Sequence, residues 1–222
     1  MNYNSEIIKD WSSLGYFRRF TPQKYYAVFG CFIIGFELST VRCEGFYRTY
    51  FVMYPLWEKT VKECFRYPYI FKCIDNKNGL DLEIPFKDHH VHFIKSIADI
   101  KRDLSFLFRG DLSAKEMYIY LERLATDMEF HYRPVIQAYI LVAELYLSIF
   151  VNDKKKENDI LNKIIKKSMD WDLNNFRYWG NFDEWYKEIL SLKDKREEIL
   201  KQIETNINSE KLRKLPRYNL IP

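Results

Sequence analysis

Apolar residues along this chain keep one rhythm up to about residue 88 and another after it. Between Tyr25 and Trp57 lie Gly30, Gly35 and Gly45 among Tyr, Phe, Val, Ile and Thr, a mixture costly in a helix and at home in twisted strands. Two long strands are predicted, about Tyr25 to Arg42 and about Phe46 to Leu56. A tight turn at Cys43-Glu44-Gly45 joins them, with glycine supplying positive φ. In the second strand Tyr47, Thr49, Phe51 and Met53 alternate with Phe46, Arg48, Tyr50, Val52 and Tyr54. Both faces carry rings, so both are expected to be covered at least in part. A helix over Lys24 to Glu37 is the competing assignment, because that run is apolar on every side and period alone does not arbitrate.

Further along, Tyr69-Ile-Phe-Lys-Cys-Ile74 and Leu80-Asp-Leu-Glu-Ile-Pro-Phe86 flank Asp75-Asn-Lys-Asn-Gly79, which predicts a β-hairpin closed by Asn-Gly. Leu80, Leu82, Ile84 and Phe86 form an apolar face opposite Asp81 and Glu83, and Pro85 points to an edge strand.

After Asp88 the period is helical. His92 to Arg109 carries Phe93, Ile97, Ile100, Leu104 and Leu107 on one stripe and ends at Gly110. Ser113-Ala-Lys-Glu116 reads as a capping box for a helix burying Met117, Leu121, Leu124 and Met128. Pro134 suits a first helical position. From Val135 to Val151 only Gln137, Glu144 and Ser148 are polar, and with Glu144 in the middle this is expected to be the central buried helix, with no membrane span. Ile160, Leu161, Ile164, Ile165 and Met169 predict another helix. Asn181-Phe-Asp-Glu184 is a second capping box, before a helix carrying Trp185, Ile189, Leu192, Ile199 and Ile203. The tail from Glu210 to Pro222 is expected to be loosely held. Strands followed by helices define the α+β class: an N-terminal antiparallel meander or set of hairpins over about 25–86, packed on a C-terminal bundle of about five helices. A single globular domain over 1–222 is expected, with a β-rich subdivision 1–88, a helical one 89–209 and the tail 210–222.

Composition adds compartment and narrows partners. The N-terminal stretch from Met1 to Trp11 has charges at Glu6, Lys9 and Asp10 and no continuous apolar core, so no secretory signal is read and a cytoplasmic location is expected. Cys31, Cys43, Cys64 and Cys73 are irregularly spaced, fitting neither a zinc knuckle nor a dithiol redox motif, and four free thiols are expected. A net charge of +4 from 35 basic and 31 acidic residues is too small and too mixed to call for a polyanion. The 18% aromatic content fits a ring-filled core and also a recognition surface.

Chemistry-bearing residues are few. His89, His90 and His92, close to Asp88, are the densest group of metal ligands or general bases, though no metal-binding spacing such as His-Glu-x-x-His is present. Glu144 is the lone acid in the most apolar helix, and must be paired, with Arg123 or Arg133 as partners in reach, or protonated. Lys154, Lys155, Lys156, Lys163, Lys166 and Lys167 form a basic cluster followed by aromatic residues, the one arrangement suited to single-stranded nucleic acid. Interspersed Asp153, Glu157, Asp159, Asp170 and Asp172 weaken that field. Trp171, Phe176, Tyr178, Trp179 and Trp185 combine ring anchors with neighbouring Asn and Asp, as protein interfaces do.

No nucleophile elbow, phosphate-binding glycine loop or dinucleotide fingerprint is present, and no cofactor is implied. The sequence therefore favours a protein-binding module, an inhibitor or immunity-type protein that neutralises a partner enzyme or toxin. Its rivals are a metal-assisted hydrolase built on the His89–His92 region and a nucleic-acid binder using the lysine helix.

Overall fold

The computed structural model describes residues 5–41, 45–171 and 181–222. The chain opens with a helix, α1 (Ser5–Ser12), that buries Ile7, Asp10 and Trp11. Four antiparallel strands follow: β1 (Arg18–Thr21), β2 (Lys24–Phe29), β3 (Phe32–Thr40) and β4 (Phe46–Pro55). The first strand predicted from the sequence is thus two, β2 and β3, paired from Lys24↔Glu37 to Phe29↔Phe32. Only Gly30, at φ 54°, marks the turn between them. Its apolar neighbours Phe29 and Cys31 hid it, because both faces of this hairpin are covered. Gly35 answers a different need, since a Cβ there would lie 1.9 Å from the Tyr25 carbonyl oxygen.

The predicted 69–86 hairpin is also rearranged. After a one-turn helix, α2 (Val61–Cys64), the strands β5 (Ile70–Cys73) and β6 (Glu83–Pro85) both pair antiparallel with β4, at Met53↔Ile70 and Phe46↔Pro85 respectively. They form one interrupted edge strand. The Asn-Gly loop between them is closed by the short Asp75↔Asp81 bridge, with Asn76 N donating to the Leu80 carbonyl and Leu82 N to that of Ile74. Pro85 does sit on an edge, where its missing N–H costs nothing.

Helices cover the sheet, which with them makes the α+β fold. They are α3 (His89–Leu104), running into a 3-10 turn at Ser105–Phe108, then α4 (Ala114–Thr126), α5 (Met128–His131), α6 (Pro134–Val151), α7 (Lys154–Ser168), α8 (Phe182–Ser191) and α9 (Arg196–Ile207). Ser113 caps α4 by accepting from the Lys115 amide, while Glu116 turns to Arg109 instead of completing the box. The last predicted helix is broken in two by the 3-10 turn Leu192–Asp194. The break lets Arg196 reach the Ile149 carbonyl, which also accepts from the Asn152 cap amide, and the Phe150 carbonyl at the end of α6.

By length and composition α6 is the one helix among the described residues that could cross a membrane, and 67% of it is buried within the fold. The buried core runs continuously from Ile7 to Leu220. The C-terminal segment belongs to it, contrary to the loose tail expected: Leu212 and Leu215 are buried. A strand β8 (Arg217–Tyr218) joins β2 in parallel, and β9 (Leu220–Ile221) pairs with β7 (Leu112–Ser113). Arg217 and Tyr218 thus occupy the part of the β2 edge that β1 leaves free, and Leu220 and Ile221 pair with β7.

Candidate functional site

The histidines singled out by the sequence lie in the first turn of α3, so His89 and His90 point only about 100° apart. That angle lets both meet one carboxylate. Asp10 of α1 accepts from His89 Nδ1 at 3.0 Å through Oδ2 and from His90 Nδ1 at 3.0 Å through Oδ1. With its Nδ1 proton directed at Asp10, His89 presents Nε2 as an acceptor to the Tyr47 hydroxyl at 2.7 Å, and Tyr47 in turn accepts from Trp11 Nε1 at 2.8 Å. His89 is fully buried. Burial lowers its pKa, only partly opposed by Asp10, so the ring is neutral.

The pair has the orientation that activates a nucleophile, but it faces a phenol sealed in the core, and both ring nitrogens of His89 are already committed. His92 is half-buried with its ring outside these bonds. Asp88 occupies the helix N-cap in a left-handed conformation without a capping bond from its side chain. Among the described residues no three His, Cys, Asp or Glu side chains converge to hold a metal ion. The network ties α1 to α3 and β4.

Glu144 is paired with Lys163 of α7, at 3.1 Å, rather than with Arg123 or Arg133. Burial still raises its pKa, with Lys163 opposing. The same lysine helix is largely occupied: Lys154 binds Glu157 and the Lys193 carbonyl, Lys156 binds Glu122 and lies over the Tyr118 ring, and Lys167 donates to Gln137. Lys155 and Lys166 remain as exposed cations, too few for a phosphate-tracking stripe. Glu37, which the sequence reading passed over, accepts through one oxygen from Tyr26, from Tyr54 at 2.6 Å and from Lys24 at 3.0 Å. It too is committed internally. Cys31, Cys64 and Cys73 are free thiols; Cys43 lies outside the described residues.

Of the aromatic group proposed as a partner surface, Trp171 and Trp185 are half-buried around Phe182, with ring centroids 6.4 and 5.7 Å from it. Phe176, Tyr178 and Trp179 lie outside the described residues.

A cavity of 610 Å³ opens beside the N-terminal half of α6, lined by Pro55, Glu58, Glu63, Arg66, Tyr67, Tyr69, Val135 and Tyr139. Tyr67, Tyr69 and Tyr139 are its aromatic lining; Tyr69 lies 4.6 Å from Tyr139 and packs edge-on to Trp57, which stacks on Tyr146 at 3.8 Å behind that lining. Glu58 hangs on the loop after β4. Asn206 of α9 donates to the carbonyls of Leu56 and Glu58 at 2.9 and 2.7 Å, and Gln202 donates to that of Lys59. Glu63 is held by Thr60, which caps α2 and donates its hydroxyl to the carboxylate at 3.0 Å.

Neither carboxylate has an ion-pair partner among the described residues. Partial burial and then Glu63 raise the Glu58 pKa, with Lys59 offsetting in part. Burial and then Glu58 raise that of Tyr69. On the opposite side of the same helix a second cavity, of 480 Å³, is lined by His131, Tyr132, Pro134, Gln137, Lys167, Asp170 and Trp171. The chain matches no protein-family model, no curated protein and no solved structure.

Proposed function

We propose that the protein acts by binding another protein, as a cytosolic inhibitor or immunity-type protein that neutralises a partner enzyme or toxin. One observation carries the reading. The three most exposed large apolar side chains among the described residues, Met169 at 78% and Met128 and Tyr132 at 73%, all belong to the segments around the start of α6, where the two cavities open.

Exposed methionine and tyrosine beside concave surface are what adaptable interfaces use. Solvated apolar groups of this size are a standing cost that a partner would remove. Trp171, already favoured as an anchor by the sequence, lines the second of these cavities. The groups with catalytic chemistry support the same choice from the other side, since His89, Glu144 and Glu37 all spend their polar atoms on internal partners.

The experiment is parallel capture from lysate of the source cells with wild-type protein and with a Met128→Ala, Tyr132→Ala, Met169→Ala variant. A stoichiometric protein retained by the first and lost by the second is expected. Retention by both would remove the interface from this face, and no partner at all would overturn the binding reading.

A further inference from the structure

We propose that Lys167 is a carbonyl-accepting lysine, its amine condensing with a small uncharged aldehyde inside the 480 Å³ cavity beside the start of α6. Lys167 lines that cavity and donates from Nζ to Oε1 of Gln137 at 3.0 Å. Gln137 is buried, and its Nε2 donates to the Ala125 and Phe130 carbonyls at 2.7 and 3.2 Å. Those two bonds fix which end of the amide faces the lysine. Other lysines of α7 meet acids instead: Lys154 pairs with Glu157, Lys156 with Glu122 and Lys163 with Glu144. A carboxylate holds the proton on an ammonium, whereas a neutral amide oxygen accepts from an uncharged amine as well.

Charge acts in the same direction. Lys163 stands one turn before Lys167 on the same helix face. Partial burial and then this like charge lower the Lys167 pKa, against Glu144 of α6 and Asp170. His131 and Tyr132 complete the titratable lining of the cavity among the described residues. Desolvation and a neighbouring cation are the two devices that make a lysine nucleophilic near neutral pH. One N–H bond to Gln137 leaves the nitrogen lone pair for a ligand. It attacks the carbonyl carbon, a C–N bond forms, and the C=O π pair moves to oxygen. A proton passes from nitrogen to that oxygen, with His131 or water as carrier. The hydroxyl then takes a further proton and leaves as water while C=N forms, and the iminium N–H still donates to Gln137. Amine, aldehyde and one proton thus give iminium and water, with no redox change. Pro134, Tyr132 and Trp171 supply apolar wall for the carbon skeleton, and Lys167 and Asp170, of opposite sign, give a charged ligand no advantage over a neutral one.

The test is reductive trapping. The full chain is treated with propanal and cyanoborohydride between about pH 6 and pH 9, and labelling at each lysine is read by peptide mass spectrometry. Lys155 and Lys166, exposed on the same helix, serve as internal standards. Lys167 is expected to label roughly tenfold faster than either at neutral pH, with a rate that saturates in propanal while theirs stay proportional to it. Lys163→Met removes the like charge and is expected to slow Lys167. Asp170→Asn, at an exposed position that leaves folding intact, removes an opposing anion and is expected to speed it. A Lys167 rate no greater than that of the standards, a rate that does not saturate, or one unmoved by both substitutions would overturn the proposal.

Discussion

Asn206 reaches back across 148 residues of sequence to hold the Glu58 carbonyl at 2.7 Å, so the last long helix fixes the position of an acid in the first half of the chain. The same side-chain amide serves the Leu56 carbonyl at 2.9 Å. Asn206→Leu keeps the volume and removes both bonds, leaving polar groups unsatisfied in a buried loop base. A loss of about 2–3 kcal/mol is expected from urea denaturation. Unchanged stability would show that water replaces the amide and that Asn206 has no positioning role.

A second prediction concerns acid. The His89 pKa is lowered by burial, so the unfolded chain takes up this proton before the folded one does. Stability from the neutral ring is complete above the ordinary histidine value, about 6.5, and is lost as pH falls through the lower value of the folded state. Urea midpoints between pH 8 and pH 5 are expected to drop in the wild type more steeply than in His89→Gln. Parallel profiles would mean that the ring takes up its proton equally in the folded and unfolded chain, and that burial does not disfavour its charge. The variant is less stable throughout at high pH, since Tyr47 and Asp10 lose a shared partner.

How much of this was readable beforehand divides by sequence distance. The α6 helix, the caps at Ser113 and Asn181 and the faces of β4 were legible, because each follows from residues within one or two turns of each other. The Gly30 turn was not, since a hairpin covered on both faces leaves no polar residue at its tip. Among the histidines, the sequence marked His89 and His90 but not their reason, which is Asp10, 79 residues away in the chain. Glu58 gave no signal at all: its half-burial comes from α6 and α9, and only the Thr60-x-x-Glu63 cap beside it had a recognisable spacing. The lysine cluster was visible as charge, and only packing shows that most of it is already neutralised.

Glu144 supplies a third prediction, because it is fully buried while its partner Lys163 is about one-third exposed. Lys163→Met leaves the carboxylate without its cation and is expected to cost about 3 kcal/mol at pH 7. Burial raises the acid's folded pKa, and more so once the lysine is gone. The folded variant then takes up a proton before the unfolded chain, and its deficit relative to wild type shrinks as pH falls from 7 to 5. Urea denaturation at the two pH values measures this. A deficit that is small and independent of pH would show that water reaches Glu144 and solvates it.

The Gly35 position makes the most severe case. It pairs with Tyr26 in the middle of the β2–β3 ladder, and a Cβ there would sit 1.9 Å from the Tyr25 carbonyl oxygen, a backbone atom that cannot swing away. Gly35→Ala must separate two central strands or bend one of them, so a loss of at least ~3 kcal/mol is expected. Gly79→Ala, with open space at its Cβ and φ 76°, bears only the conformational strain, about 1 kcal/mol. Melting temperatures of the two variants compare them directly, and similar values would mean that the strand pair yields.

Glu58→Gln carries the last prediction, and it runs against the usual direction for a substitution in a formed site. The wild-type carboxylate is half-buried, repelled by Glu63 and without an ion-pair partner among the described residues. Replacing it by the neutral amide removes that repulsion while keeping shape. After allowance for solvent screening the gain is roughly 0.5 kcal/mol, equivalent to ~1–2 °C in melting temperature for a chain of this length. A residue that served to hold the fold would lose stability when altered, so a variant that melts higher shows that the Glu58 carboxylate is not kept for the fold. A lower melting temperature would assign it a structural role instead.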